Sequence, residues 1–318
     1  MSGFLDPVVL FFILGALAGV LKSDLKVPEA FYHTLSIYLL LAIGIKGGIE
    51  LYHANPSGIL LPAIATITAG ITVTLIAALL LKRIAKFNNP DVWSIAGHYG
   101  SVSAVTFAVI LTFLNDKQVP YEEFMTVLLV TLEIPAIAFA IFAYKSSVSS
   151  GKIEIRKLAH EVFFGKSILL LLGGLGIGYY TAAANNQQLN FFFFDLFKGF
   201  LAIFMLEMGI VASARFADLK KVGISLILFG VMMPLIGASI GILAGNIVGL
   251  SVGGTAVLAT MCASASYIAA PAAMRIAIPD ANPTYSLTAA LGITFPFNII
   301  IGVNLYYRMS VIVDGILN

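Results

Sequence analysis

Long apolar runs alternate with short polar breaks from one end of the chain to the other. A run of about 20 apolar residues is long enough to cross a bilayer as a helix. On that length, spans are expected near 5–21, 29–52, 57–81, 91–114 and 122–143, and again near 166–183, 192–213, 221–247, 252–274 and 284–307. Between them stand Asn88-Asn89-Pro90-Asp91, Lys117-Gln118-Val119-Pro120 and Asp280-Ala281-Asn282-Pro283, residue types that interrupt regular structure. The longest polar connection, Tyr144 to Lys166, carries mixed charges and a serine-rich stretch but no low-complexity tract. It divides the chain into a first five-span unit (1–150), a cytoplasmic linker (151–165) and a second five-span unit (166–318). The expected fold class is an all-α polytopic membrane protein of ten helices.

The two units look like copies. Gly15-Ala16-Leu17-Ala18-Gly19 returns as Gly173-Gly174-Leu175-Gly176-Ile177-Gly178, and Lys46-Gly47-Gly48-Ile49 as Glu207-Met208-Gly209-Ile210. Pro120 returns as Pro283, and Ile134-Pro135 as Phe295-Pro296. The offsets, 158 to 163 residues, are half the chain and far exceed solenoid periods. Five spans per copy is odd, so the second copy must enter the membrane from the opposite side. An inverted pair of membrane modules is the construction plan of secondary transporters.

Charge orients the pair. With ten spans, fourteen of the 18 Lys and Arg fall on one side, against Lys117 and Arg308 on the other, with Lys46 and Lys198 in or beside spans. By the positive-inside rule the basic side is cytoplasmic, so both termini face outward from a bacterial inner membrane. Composition agrees: 59% hydrophobic residues, 11% charged and a mean hydropathy of +0.99 exclude a soluble globular protein. A net charge of +2 gives no footprint for nucleic acid. The single cysteine, Cys262, excludes an intrachain disulfide framework and reads as a packing residue. The first apolar stretch lacks a basic lead and a small-residue cleavage site, so it reads as a span, not a signal peptide.

The fourth and ninth spans are the least lipid-like. One contains Gly97-His98-Tyr99-Gly100-Ser101-Val102-Ser103-Ala104-Val105-Thr106, the other Cys262-Ala263-Ser264-Ala265-Ser266-Tyr267-Ile268-Ala269-Ala270-Pro271. Their glycines and mid-span proline are expected to break the helices, which is tolerated at membrane depth only where backbone lines a cavity. Matching interruptions in both repeats point to a transporter's binding site. Each break starts a half-helix whose free N–H groups and positive dipole end favour an anion. Ser101, Ser103, Ser264 and Ser266 add hydroxyls, giving a small neutral pocket suited to a compact oxyanion. The same oxygens suit sodium. Small residues at these spacings also serve close helix packing, but breaks at matching positions in both copies favour a binding site.

Taken together these segments resemble the SbtA-type sodium-dependent bicarbonate permease family over essentially the whole chain. The most specific pieces are Gly100-Ser101-Val102-Ser103, Glu133-Ile134-Pro135-Ala136, Met208-Gly209-Ile210 followed by Asp218-Leu219-Lys220-Lys221-Val222, and Pro271-Ala272-Ala273-Met274-Arg275-Ile276-Ala277-Ile278-Pro279-Asp280-Ala281-Asn282-Pro283. The resemblance implies a core and a gate domain, a homotrimer, and bicarbonate bound between the broken spans with sodium beside it. On this chain the bicarbonate positions would be Gly100, Ser101, Val102, Ser103, Ser266, Ala269 and Ala270. Sodium would lie near Ser264, Ser266, Thr106 and Glu133, and no other cofactor is implied. The family's ninth span carries Ser-Ser-Asp and then Ser-Gly-Pro-Pro-Thr; here Tyr267 stands where that aspartate is expected. A tyrosine brings no formal charge, so sodium and proton coupling both stay open. His98 is also unusual for the pattern, and the shortened Tyr144–Lys166 connection leaves regulation by a PII-like partner open.

Ionisable residues inside spans are costly and functional by default. Glu133, beside Pro135 and its expected kink, could replace the missing aspartate as a cation or proton ligand. Lys46 and Glu207 are repeat equivalents of opposite sign, but inversion separates them by about 10 Å in depth. Lys46 is expected to pair with Glu50 one turn on, and Glu207 to form a core–gate contact near the inner side. His98 could relay protons or be a hydrogen-bonded helix residue facing a gate; with Tyr267, Lys46 and Glu207 it forms a candidate gating or coupling set. Phe191 to Phe194 and Tyr306-Tyr307-Arg308 read as interfacial anchors.

The function expected is an importer of a small anion, bicarbonate by resemblance, working by an elevator-type movement of the core. Alternatives are a proton-coupled or uncoupled carrier of another small monovalent anion or carboxylate, and more distantly an anion channel. No ring of like charges supports a channel. An intramembrane enzyme finds no metal-ligand spacing or Ser–His pair in one span.

Overall fold

The computed structural model describes residues 7–54, 58–148, 164–185 and 188–317, which are mostly helical with no strand among them. Among the described residues eight helical stretches are long and apolar enough to cross a membrane, one of them (Asn89–Asp116) made of two helices, and two shorter apolar helices and the short Ala270–Ala277 helix accompany them. In order they are α1 (Pro7–Val20), α2 (Glu29–His53), α3 (Leu60–Arg83), α4 (Asn89–Gly100), α5 (Ala104–Asp116), α6 (Met125–Ser147), α7 (Lys166–Ala183), α8 (Phe197–Phe216), α9 (Ile224–Ile247), α10 (Val252–Cys262), α11 (Ala270–Ala277) and α12 (Pro283–Ile316). The polar connection at the centre of the chain lies largely outside the described residues.

The breaks anticipated from sequence act as helix caps. Asn88 accepts the Asp91 amide at 2.9 Å to open α4, and Asn282 accepts the Thr284 amide at 3.0 Å to open α12; side-chain capping of this kind satisfies amides that a helix start leaves orphaned. Left-handed residues end several helices, and their positions repeat. Lys22 and Asn185 follow α1 and α7, while Lys86 and Gly249 follow α3 and α9; the separations, 185 − 22 and 249 − 86, are both 163. Chain reversal recurs at one offset although the residue types differ.

Packing repeats in the same way. Helix α1 lies along α8, and α2 lies along α7. A Cβ built on Gly209 would collide with the Phe12 carbonyl of α1, and one on Gly15 with the Leu206 carbonyl of α8. Across the other pair, Gly48 faces the Leu175 carbonyl and Gly178 the Ile45 carbonyl just as closely. In lipid, helices associate through such close backbone approach, since hydrocarbon offers no hydrophobic drive. These four helices form one group. The second group packs α3 with α4 and α6, and α9 with α10 and α12. The groups meet where α8 touches α12 and where α2 touches α6.

The two helices of Asn89–Asp116 sit at the centre: 89% of their apolar window is buried, against 39% for Phe197–Phe216. At 34 residues, α12 is about 51 Å long. That exceeds the roughly 30 Å hydrocarbon core, so it tilts or projects. It widens into π-turns at Thr288–Thr294 and Asn298–Gly302, flanking Pro296, as helices do around a missing amide.

One expectation changes in detail. Gly97 and Gly100 do not break the fourth span; they lie inside α4, and the break follows at 101–103. A Cβ on Gly97 would strike the Met274 side chain, and one on Gly100 the Thr74 hydroxyl, so these glycines admit neighbours. Likewise Pro271 does not make the ninth-span break but occupies the first turn of α11, where its absent N–H leaves nothing unsatisfied. Helix α6 runs unbroken through Pro135.

Candidate functional site

The two breaks cross. Residues 101–103 are extended between α4 and α5, and 263–269 link α10 to α11. The Ser266 amide donates to the His98 carbonyl at 2.8 Å, and the Ser103 amide donates to Ser264 Oγ at 2.9 Å. Each break therefore satisfies amides or carbonyls that the other frees, as buried backbone requires.

Ser103 and Ser266, 163 residues apart, play equivalent parts. Ser103 Oγ accepts from the Thr106 amide at 3.1 Å and caps α5; Ser266 Oγ accepts from the Ala270 amide at 3.1 Å at the start of α11. Thr106 Oγ1 donates to Ser103 Oγ at 3.0 Å. Ser264 differs: its hydroxyl donates to the Met261 carbonyl at 2.8 Å while accepting the Ser103 amide, so its one proton is committed. Ser101 donates to the Glu133 carbonyl over a long 3.4 Å. All four serines are buried, as is Val102 between them.

The break has a brace that sequence reasoning missed. Asn298 Nδ2 donates to the Ala263 carbonyl at 2.9 Å, and its Oδ1 accepts from Tyr306 at 2.7 Å. Tyr99 donates to Thr294 at 2.6 Å, which donates to the Gly230 carbonyl at 2.7 Å. Asn298 and Thr294 sit at the widened turns of α12; fully buried polar residues in an apolar span were the available signal. Tyr306, read as an interfacial anchor, is instead fully buried in this brace.

The remaining candidates spread out. Thr106, Ser264, Ser266, Ala269 and Ala270 all lie at the crossing, whereas Gly100 faces α3. Glu133 reaches the crossing through its carbonyl; its Oε2 is buried without a hydrogen-bond partner. The Tyr267 ring packs edge-on to Phe295 at 5.4 Å, and its hydroxyl lies near Ser103 and Tyr32 without forming a well-aligned hydrogen bond. Glu207 interacts with Tyr32, so both belong to the α1/α2/α7/α8 group, and its Oε2 is likewise unpartnered. Lys46 pairs with Glu50 at 3.7 Å and donates to the Tyr121 hydroxyl at 3.2 Å. No cluster of three or more His, Cys, Asp or Glu occurs among the described residues, so a cation at the crossing would rest on neutral oxygens.

Two cavities lie at opposite ends of the α4–α5 span. One, about 200 Å³, opens between the helix groups beside Lys46, Asn115, Asp116 and Lys198. It shares Ile43 and Ala108 with a minor void that reaches Ala104, Val105 and Ile268 at the crossing. The other, about 440 Å³, reaches His98 between α4, α11 and α12.

A sequence model of the Na+-dependent bicarbonate transporter superfamily matches residues 7–311. The chain belongs to that superfamily. Comparison with curated proteins finds no match. Membership places this superfamily member among multi-pass membrane transporters and bears out the resemblance read from the Gly100–Ser103 and Pro271–Pro283 segments. Both segments fall at or beside the crossing.

Proposed function

We propose that this superfamily member imports bicarbonate across a bacterial inner membrane, coupled to sodium, by an elevator-type movement. The observation that carries the reading is the mutual hydrogen bonding of the two breaks around Ser103 and Ser266. Their oxygens cap α5 and α11, and their O–H protons are free to point at an anion held at two helix starts. Ser101, Val102, Ala269 and Ala270 supply the surrounding backbone; Ser264 braces the crossing.

The two helix groups suit the mechanism. The α1/α2/α7/α8 group is the fixed gate, and the remaining helices are the core that carries the site. Reciprocal glycine packing and the recurring offset of 163 between chain reversals support a five-plus-five inverted repeat with units at 1–150 and 166–318. The charge asymmetry supports outward termini. A homotrimer and a PII-like regulator rest on the family resemblance alone. The outer cavity beside Lys46 and Lys198 would receive the anion from outside.

A proton-coupled reading has one observation in its favour: Tyr267 replaces a charged sodium ligand and leaves the crossing neutral. Uptake of labelled bicarbonate into proteoliposomes under separate sodium and proton gradients decides between them. Sodium-driven accumulation is expected. Accumulation under the proton gradient alone would transfer the coupling to protons, and accumulation under neither would remove bicarbonate as the substrate. Ser266→Ala should lower uptake at least tenfold while thermal stability changes by only about 1 kcal/mol, the worth of one hydrogen bond.

A further inference from the structure

His98 has two faces. Its carbonyl accepts the Ser266 amide at the crossing, and the residue also lines the 440 Å³ cavity with Ser94, Pro271, Met274, Arg275 and Ser286. The ring is 1% exposed. Nδ1 contacts the Ser94 carbonyl at 2.7 Å; a carbonyl can only accept, so Nδ1 carries the proton. Nε2 is buried with no hydrogen-bond partner. No carboxylate pairs with the ring among the described residues, so Nε2 of the neutral imidazole presents a lone pair. Buried polar atoms are almost always partnered; this one, on a residue that lines a cavity, lacks a donor.

The cavity's other chemistry is a cation. Arg275, exposed in the last turn of α11, is its one charged lining residue. Two acids on the surrounding elements are engaged elsewhere: Asp91 accepts the Asn282 amide at 2.7 Å, and Asp280 interacts with Tyr144. A ligand that satisfies both groups must carry negative charge for a guanidinium and an O–H for Nε2. Nitrate, chloride and ionised carboxylates without a hydroxyl lack the second. Water occupies about 30 Å³ in the liquid, so a four-atom oxyanion fits this volume with room for solvent.

We propose that this cavity is a second anion subsite, in which a monoprotonated oxyanion donates its O–H to His98 Nε2 and is held by Arg275. Resting on the transport reading above, its occupant is bicarbonate, and the subsite is the inner station that an ion reaches after leaving the crossing. Because His98 belongs to both places, it selects for the proton on the passing ion.

Equilibrium dialysis of the purified full chain against labelled sodium bicarbonate in a sealed cell tests this. Two ions per protomer are expected. Arg275→Gln, at an exposed position that does not threaten folding, should leave one, as should His98→Leu. His98→Gln, which keeps an acceptor, should retain two. Excess sodium nitrate should displace only the ion at the crossing, whereas inorganic phosphate, which keeps an O–H, should also displace the inner one. One ion in the wild type that survives Arg275→Gln, two in Arg275→Gln, or displacement of both by nitrate would overturn the proposal. Failure of the transport reading looks different: the wild type would bind a single ion, which Ser266→Ala leaves in place and Arg275→Gln removes.

Discussion

Three buried serines at the crossing carry the same hydroxyl and do different work, because a hydroxyl has one proton to give. Ser103 and Ser266 use their oxygens as caps and keep that proton; Ser264 spends it on the Met261 carbonyl and accepts the Ser103 amide. Substitutions should separate the roles. Ser264→Ala orphans a buried amide, a loss of about 1–3 kcal/mol, and is expected to lower the melting temperature of the purified protein clearly more than Ser266→Ala does. Ser266→Ala should act mainly on uptake. Equal stability losses with equal uptake would mean that both serines are structural. Asn298→Leu should likewise destabilise, since it strips the Ala263 carbonyl and the Tyr306 hydroxyl of their partner together.

Among elements, the α1–α8 and α2–α7 pairs hold their four-helix group together by backbone contact. A methyl group at Gly209 or Gly48 would meet main-chain atoms of the facing helix, which cannot swing aside as a side chain can. Gly209→Ala and Gly48→Ala are each expected to destabilise by about 1–3 kcal/mol or more through overpacking. Gly173→Ala and Gly176→Ala meet open space and should be neutral or slightly stabilising, since alanine is the better helix former by about 1 kcal/mol. Thermal denaturation in detergent distinguishes the sets. The four glycines sit in similar sequence surroundings, so only their helix faces separate them.

For the whole molecule, the proposed elevator requires the second helix group to move against the α1/α2/α7/α8 group. Among the described residues two polar ties cross between the groups at one end: Lys198 of α8 pairs with Asp116 of α5, and Lys46 of α2 bonds to Tyr121 just before α6. The Lys198–Asp116 pair is about half exposed, and such pairs contribute about 0–1 kcal/mol, weak enough to break and reform with each cycle. Cysteines at 116 and 198, joined by a short bis-maleimide linker, should therefore block uptake. The native Cys262 is buried and gives little background. Full uptake by the cross-linked protein would rule out relative motion of the two groups and with it the elevator.

Much of this fold could be read from the chain, because a bilayer dictates span length and forbids unpaired backbone within it. Apolar runs located the eight helical stretches long enough to cross a membrane to within about five residues, except that α12 runs on to Ile316 beyond its expected end at 307, and Asn88, Asn282, Ser103 and Ser264-Ala265-Ser266 marked caps and breaks. Charge and repeat arguments also needed no coordinates, since they follow from counting. What the sequence could not reach were relations across the fold. That Gly97 and Gly100 admit neighbours while residues 101–103 unwind depends on where Met274 and Thr74 arrive. That Ser264 braces while Ser103 and Ser266 cap depends on which carbonyls and amides the crossing brings within 3 Å. The pattern of apolar and polar positions determined that two broken spans exist; only tertiary structure decided that they satisfy each other, because hydrogen bonds between distant segments are fixed by geometry and not by residue type.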